Sequence, residues 1–139
     1  MTTIAQIMTK SVATVQRDET LQAAAQRMRD MDVGSLPVLD GQAIVGMVTD
    51  RDIAVRGVAD GMIPQEARVR DVMTADVRWC GENDPVEQVL EEMGEQQVRR
   101  LAVLNEAREV VGIVALGDLA TRQAGEHVDE ALREISEPG

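Results

Sequence analysis

The segment Ile44-Val45-Gly46-Met47-Val48-Thr49-Asp50-Arg51-Asp52 recurs, with drift, as Val110-Val111-Gly112-Ile113-Val114-Ala115-Leu116-Gly117-Asp118. Working outward, the correspondence holds at an offset of about 65 residues, the kind of period that marks a duplicated structural unit. Leu36-Pro37-Val38-Leu39 falls on Leu101-Ala102-Val103-Leu104, Met28 on Met93, Val33 on Val98, and Ile7-Met8-Thr9 on Val72-Met73-Thr74. The matches keep their order and fall on apolar or glycine positions, so the chain is a tandem duplication. A unit of about 60 residues is marginal alone, and two copies are expected to pack face to face.

Each copy reads as β-α-β-β-α, an α/β fold. In the first, Val12 to Val15 suit a strand, and residues 19 to 32 place Leu21, Ala24, Ala25, Met28 and Met31 on one helical stripe. Ser35 to Leu39 and Ala43 to Thr49 flank Asp40-Gly41, a hairpin turn signal, and a helix is predicted from Asp50 to Ala59. The second copy offers a strand at 77 to 80 and a helix opening at Asp84-Pro85 with Val86, Val89, Leu90 and Met93 inward. Strands at 100 to 104 and 109 to 115 and a helix at 117 to 124 complete it. Pro85 suits a first helical position, and Asp84 with Glu87 form a candidate capping box. The expected organisation is repeat 1 over 1–60, a linker over 61–68, repeat 2 over 69–124, and a tail over 125–139. That tail carries Val128, Ala131, Leu132 and Ile135 at helical spacing, a short amphipathic helix in need of a partner surface.

Composition narrows the function. The chain has 139 residues with 14 Lys plus Arg against 25 Asp plus Glu, a formal net charge of −11. Nucleic-acid binding draws on cationic contacts with phosphate and on stacking side chains, and this chain is acidic, with Trp79 its one aromatic residue. Cys80 is its one cysteine, which excludes a disulfide framework, and His127 its one histidine, which leaves His-based catalysis only His127 itself. The N-terminus does not resemble a signal peptide and no apolar run approaches a membrane span, so a cytoplasmic location without membrane contact is expected.

Several residues carry two readings. Thr49 and Asp52 stand where a strand passes into a helix. They read as a helix cap, the hydroxyl and carboxylate exchanging bonds with each other's backbone N–H. The pattern alone favours the cap, and a sugar-phosphate site can coexist with it, the hydroxyl meeting phosphate and the carboxylate accepting from a ribose. The second copy keeps Asp118 but has Ala115 in place of the threonine. Arg99-Arg100, at a strand entrance, are either solvated charge or a guanidinium pair for phosphate. Trp79 reads as core, interface or ligand contact, Cys80 as a small buried apolar residue, and the eight methionines mostly as core.

The Ile-Met-Thr and Val-Met-Thr openings, the Leu-Pro-Val strand and the Gly-x-x-Thr-x-x-Asp end, set in a tandem β-α-β-β-α frame, resemble a pair of cystathionine β-synthase (CBS) domains over residues 4 to about 124. Thr49 to Arg56 and the Arg-Glu-Ile-Ser-Glu-Pro tail resemble small stand-alone bacterial two-CBS proteins, the hypoxic response protein type among them. The resemblance implies a pseudo-two-fold module with two inter-repeat clefts that binds adenosine derivatives such as AMP, ADP, ATP, NAD or S-adenosylmethionine. By that resemblance the first cleft uses Thr49 for phosphate, Asp52 for ribose, Arg99 and Arg100 for phosphate, and the backbone near Trp79 and Cys80 with Met47 for adenine. The second uses Asp118 for ribose, with Ala13, Thr14, Gly34, Ser35 and Pro37 around base and phosphate. Ala115 departs from the pattern, so the clefts are expected to be unequal. The expected function is a non-catalytic sensor of an adenine nucleotide, a homodimer with an unidentified effector protein as a further partner, and no metal. The alternative is a protein-interaction module with vestigial clefts and no nucleotide.

Overall fold

The computed structural model describes residues 2–10, 12–75, 78–117 and 119. The chain divides into two compact units, one of Ala13–Val77 and one of Met1–Val12 with Arg78–Gly139.

The unit of residues 13–77 holds β1 (Val15–Gln16), α1 (Leu21–Met31), β2 (Ser35–Asp40), β3 (Ala43–Thr49) and a π-helix, Asp52–Val58. Its sheet has the order β1-β2-β3, with β1 parallel to β2 and β2 antiparallel to β3. A parallel pair needs a crossover, and α1 supplies it. The Thr20 side chain accepts from Ala23 N at 3.1 Å, which starts α1 at Leu21 rather than at residue 19. Leu21, Ala24 and Met28 face a core shared with Val15, Leu36, Val38 and Val48. Ala25 and Met31, expected on the same stripe, are exposed. The buried stripe is therefore narrower than the apolar pattern suggested. β1 is confined to Val15–Gln16 because only those residues pair with β2. The helix expected from Asp50 to Ala59 forms with wide turns, Ala59 N donating to Ala54 O at 3.0 Å.

The other unit repeats the plan with β4 (Trp79–Gly81), α2 (Val86–Gln96), β5 (Arg100–Leu104) and β6 (Val110–Ala115), ordered β4-β5-β6. Val86, Val89, Leu90 and Met93 are buried as their spacing requires, against Leu101, Val103 and Val114. The duplication persists in detail. Both hairpins carry a register shift, at Val38/Leu39 and Val103/Leu104, and both long helices end on a left-handed residue, Asp32 (φ 54) and Gln97 (φ 56). The expected Asp84–Glu87 box does not form. Pro85 is the cap residue, the Val86 N–H donates to Thr2 O at 3.1 Å, and Asp84 Oδ2 accepts from Gly81 N at 2.8 Å. The chain turning out of β4 leaves the Gly81 N–H in need of an acceptor, and Asp84 meets that need first.

Each unit is closed by an opening segment that precedes the other repeat. Thr9 pairs with Ile113 through two backbone bonds of 2.9 and 3.0 Å, and Thr74 pairs with Met47 through two of 2.9 Å. Both contacts cover the outer edge of a hairpin, where unpaired backbone would otherwise be exposed. The approach is close because glycine lies beneath: a Cβ at Gly46 would stand 2.6 Å from Thr74 O, and one at Gly112 would stand 2.9 Å from Thr9 O. This explains why a Met-Thr pair and a strand glycine recur together in both copies.

Candidate functional site

The end of β3 and the start of β2 meet in register, Ser35 opposite Thr49 and Pro37 opposite Met47. Asp50 N donates to Gly34 O at 3.0 Å, which continues the pairing past the end of β3. Gly34, Ser35, Pro37, Met47, Thr49 and Asp52 are thus gathered at one end of a single hairpin. Ser35 and Pro37 are buried, while Met47, Thr49 and Asp52 are half-buried.

Thr49 and Asp52 form the capping box. Asp52 N donates to Thr49 Oγ1 at 3.0 Å, and Thr49 N donates to Asp52 Oδ2 at 3.0 Å. The second carboxylate oxygen, Oδ1, stands 4.0 Å from Arg56 Nε. The cap and sugar readings divide the carboxylate between them, since one oxygen is committed to backbone and the other is not. Asp50, which sequence reasoning passed over, lies under Gly34: a Cβ there would meet Asp50 Oδ2 at 3.1 Å.

Ala13 and Thr14 lead into β1. Arg27 holds the carbonyl of Thr14 at 2.8 Å through Nη1 and grips Glu19 with two bonds of 3.0 Å. The Arg27 hydrogen bonds lower the Glu19 pKa from its ordinary 4.5. Nothing in the local pattern advertises Arg27, whose partners lie 8 and 13 residues before it, outside its own helix.

In the other unit Arg100 pairs with Ala115, and Leu116 N donates to Arg99 O at 2.8 Å, the counterpart of the Asp50–Gly34 bond. The Arg99 and Arg100 side chains are exposed, with no hydrogen-bond or ion-pair partner among the described residues. Elsewhere in the described chain arginines are engaged: Arg17 with Asp18 and Asp40, Arg29 with Asp30, and Arg70 with Asp18. Asp118, the expected second ribose carboxylate, lies outside the described residues, as do His127 and the tail over 125–139.

Trp79 and Cys80 point to opposite faces of β4, as successive strand residues must. Cys80 is buried in the core, as expected of a small apolar residue. Burial, with the Asp84 and Glu92 charges, pushes its thiol from an ordinary 9.0 up to about 12. Cys80 is therefore expected to resist a thiol reagent at pH 8 in the native protein and to react at once in denaturant. Because the folded value is raised, its contribution to stability is complete below pH 9.0 and is lost as pH rises toward about 12. Alkaline unfolding curves should show up to about 1.4 kcal/mol of loss per pH unit in that window. Trp79 is not core: the residue is 44% exposed, with the Arg108 guanidinium 5.7 Å from the ring centroid.

A duplicated β-α-β-β unit whose first hairpin ends in a capped Thr-x-x-Asp turn defines a tandem α/β repeat fold, the second copy's expected closing helix at 117–124 lying largely outside the described residues. The CBS domain model matches residues 4–57 and 69–125, and the chain belongs to the CBS domain family. It is 37% identical over 139 residues to Hypoxic response protein 1 of Mycobacterium tuberculosis, covering 99% of this chain and 96% of that protein. The solved structure of Hypoxic Response Protein I, with two coordinated zinc ions, superposes with a TM-score of 0.78 at 39% identity, over 87% of this chain and 98% of that one. The CBS domain pair of MJ0100, solved with 5′-methylthioadenosine and S-adenosyl-L-methionine, gives a TM-score of 0.75 at 26% identity, over 87% of this chain and 94% of that one.

The expectation of no metal is corrected by the second of these, since a protein so similar holds two zinc ions. Tetrahedral zinc sites are built from three or four Cys, His or carboxylate groups. Among the described residues no three such groups come together, and the chain's one histidine, His127, lies outside them. Among the described residues no helix is long and apolar enough to cross a membrane.

Proposed function

We propose that this protein is a regulatory module that binds an adenine nucleotide without turning it over. The observation that carries the reading is the exposed Arg99-Arg100 pair, without a side-chain partner among the described residues, in a chain of net charge −11 whose other described arginines largely have partners. Free guanidinium pairs suit phosphate, whose charge they meet with directed bonds. Thr49 and the Asp52 oxygen not bound to backbone, which stands 4.0 Å from Arg56 Nε, supply the hydroxyl and carboxylate for a sugar, and the adenosine ligands of the MJ0100 pair supply the ligand class. The remaining site members are carried by the family resemblance: Met47, Trp79 and Cys80 around the base, with Ala13, Thr14, Gly34, Ser35, Pro37 and Asp118 forming a second, weaker site. A homodimer acting in the cytoplasm on a further protein completes the proposal.

The test is calorimetric titration with AMP, ATP, NAD and S-adenosylmethionine. At least one is expected to bind below millimolar, and Asp52→Ala to weaken it about tenfold while costing about 1 kcal/mol of stability through the lost cap. Absence of heat with all four sinks the reading, and unchanged affinity in the variant removes Asp52 from the site. A docking role without nucleotide has one observation in its favour: Val55, Val58 and Ile63 are more than half exposed. Native mass spectrometry separates the two, a co-purifying nucleotide supporting the sensor and a tightly held second chain with no nucleotide supporting docking.

A further inference from the structure

Each opening segment holds a methionine sulfur against the strand glycine of the hairpin it covers. A Cβ at Gly112 would stand 2.5 Å from Met8 Sδ, and one at Gly46 would stand 3.1 Å from Met73 Sδ. The sulfur thus fills the space that a side chain at the glycine would take, so an atom added to it forces a shift. The next residue of each segment, Thr9 or Thr74, makes the two backbone bonds that fasten it to the hairpin. Displacing the sulfur pulls on those bonds. Behind them it pulls on the buried Ile4 and Ile7 in one unit and Val69 and Val72 in the other.

Two pairs of methionines recur between the copies, and exposure separates them. Met28 and Met93 are buried on their helices, whereas Met8 and Met73 are half-buried at the margin of the core. Cys80, the chain's one thiol, is buried. We propose that Met8 and Met73 are reversible oxidation sites whose modification by a peroxide loosens the opening segments. A sulfur lone pair takes one peroxide oxygen, the O–O bond breaks, and the other oxygen leaves as water. The sulfur gives up two electrons and becomes a sulfoxide, a polar group where an apolar sulfide lay against glycine. A dithiol reductase reverses the step, its thiols closing to a disulfide as the sulfoxide oxygen leaves as water. No ligand is needed, so the proposal stands apart from the nucleotide reading.

The test is treatment of the intact protein with hydrogen peroxide, followed by peptide mass mapping, urea unfolding and amide hydrogen exchange. Met31, which is 50% exposed, is expected to gain oxygen first without moving the urea midpoint. Met8 and Met73 follow, with a lower midpoint and about tenfold faster exchange at the Thr9, Met47, Thr74 and Ile113 amides. Methionine sulfoxide reductase should restore both readings, a result that needs no variant. The double variant Met8→Leu, Met73→Leu conserves volume and should hold its midpoint through the same treatment. Sulfoxide at Met8 and Met73 with an unchanged midpoint overturns the proposal. So does folded protein in which both stay unmodified while Met31 is oxidised. An equal fall in the double variant assigns the loss to the half-buried Met47 or Met62 and overturns it as well.

Discussion

Gly46→Ala is expected to destabilise the protein by about 3 kcal/mol, at the upper end of what overpacking costs. The new methyl group would stand 2.6 Å from the carbonyl oxygen of Thr74, a separation that real side chains do not tolerate. That carbonyl is not free to retreat, because it accepts from Met47 N at 2.9 Å, and Thr74 N donates to Met47 O at the same distance. Relief requires the whole Val69–Thr74 segment to lift from β3, taking the buried Val69 and Val72 with it. The lower entropy of the unfolded alanine chain offsets less than 1 kcal/mol, roughly. Gly112→Ala is milder, about 2 kcal/mol, because its nearest obstacle is the flexible Met8 sulfur and the Thr9 carbonyl stands further off at 2.9 Å. Urea unfolding of both variants checks the ranking. A Gly46→Ala midpoint matching the parent's would mean that the segment does not lie on the strand.

Arg27→Ala is expected to cost about 2 kcal/mol. It removes two charge-assisted bonds to Glu19 and leaves the Thr14 carbonyl without its donor. The pair is one-third exposed, which keeps the figure below that of a buried ion pair. Its pH signature separates it from a simple packing loss. Glu19 is held below its ordinary 4.5 chiefly by the Arg27 hydrogen bond, so its stabilisation is present above pH 4.5 and fades as pH falls through the lowered value. Acid unfolding of the parent should therefore be steeper below pH 4.5 than that of Arg27→Ala. Parallel acid limbs would show that the pair contributes no charge-dependent stability. Because Arg27 fixes the backbone at Thr14, the variant also tests whether Ala13 and Thr14 belong to a binding surface. Looser nucleotide binding alongside the stability loss would support it.

The elements were readable where a local pattern is also the pattern of burial. Val86, Val89, Leu90 and Met93 follow helical spacing and all face the core, because helix geometry alone fixes which residues share a face. Asp40-Gly41 marked a hairpin turn because one residue type relieves the left-handed conformation. The cap at Thr49 and Asp52 was equally local, its two bonds closing over a span of three residues. Legibility failed where a distant group took the partner. Asp84 serves the Gly81 N–H rather than α2, and Thr2 takes the helix's first donor instead. Met31 sits on an apolar stripe that the core does not extend to meet.

By itself, the sequence determined the duplication, the α/β plan of each copy, the absence of a disulfide framework and the family, since order, period and composition are properties of the chain before it folds. Tertiary structure alone decided that each Met-Thr segment closes the hairpin of the opposite repeat, that Arg27 holds Thr14, and that Arg108 reaches Trp79. These are contacts between residues whose separation along the chain carries no signal, and only the closeness of packed backbone brings them together.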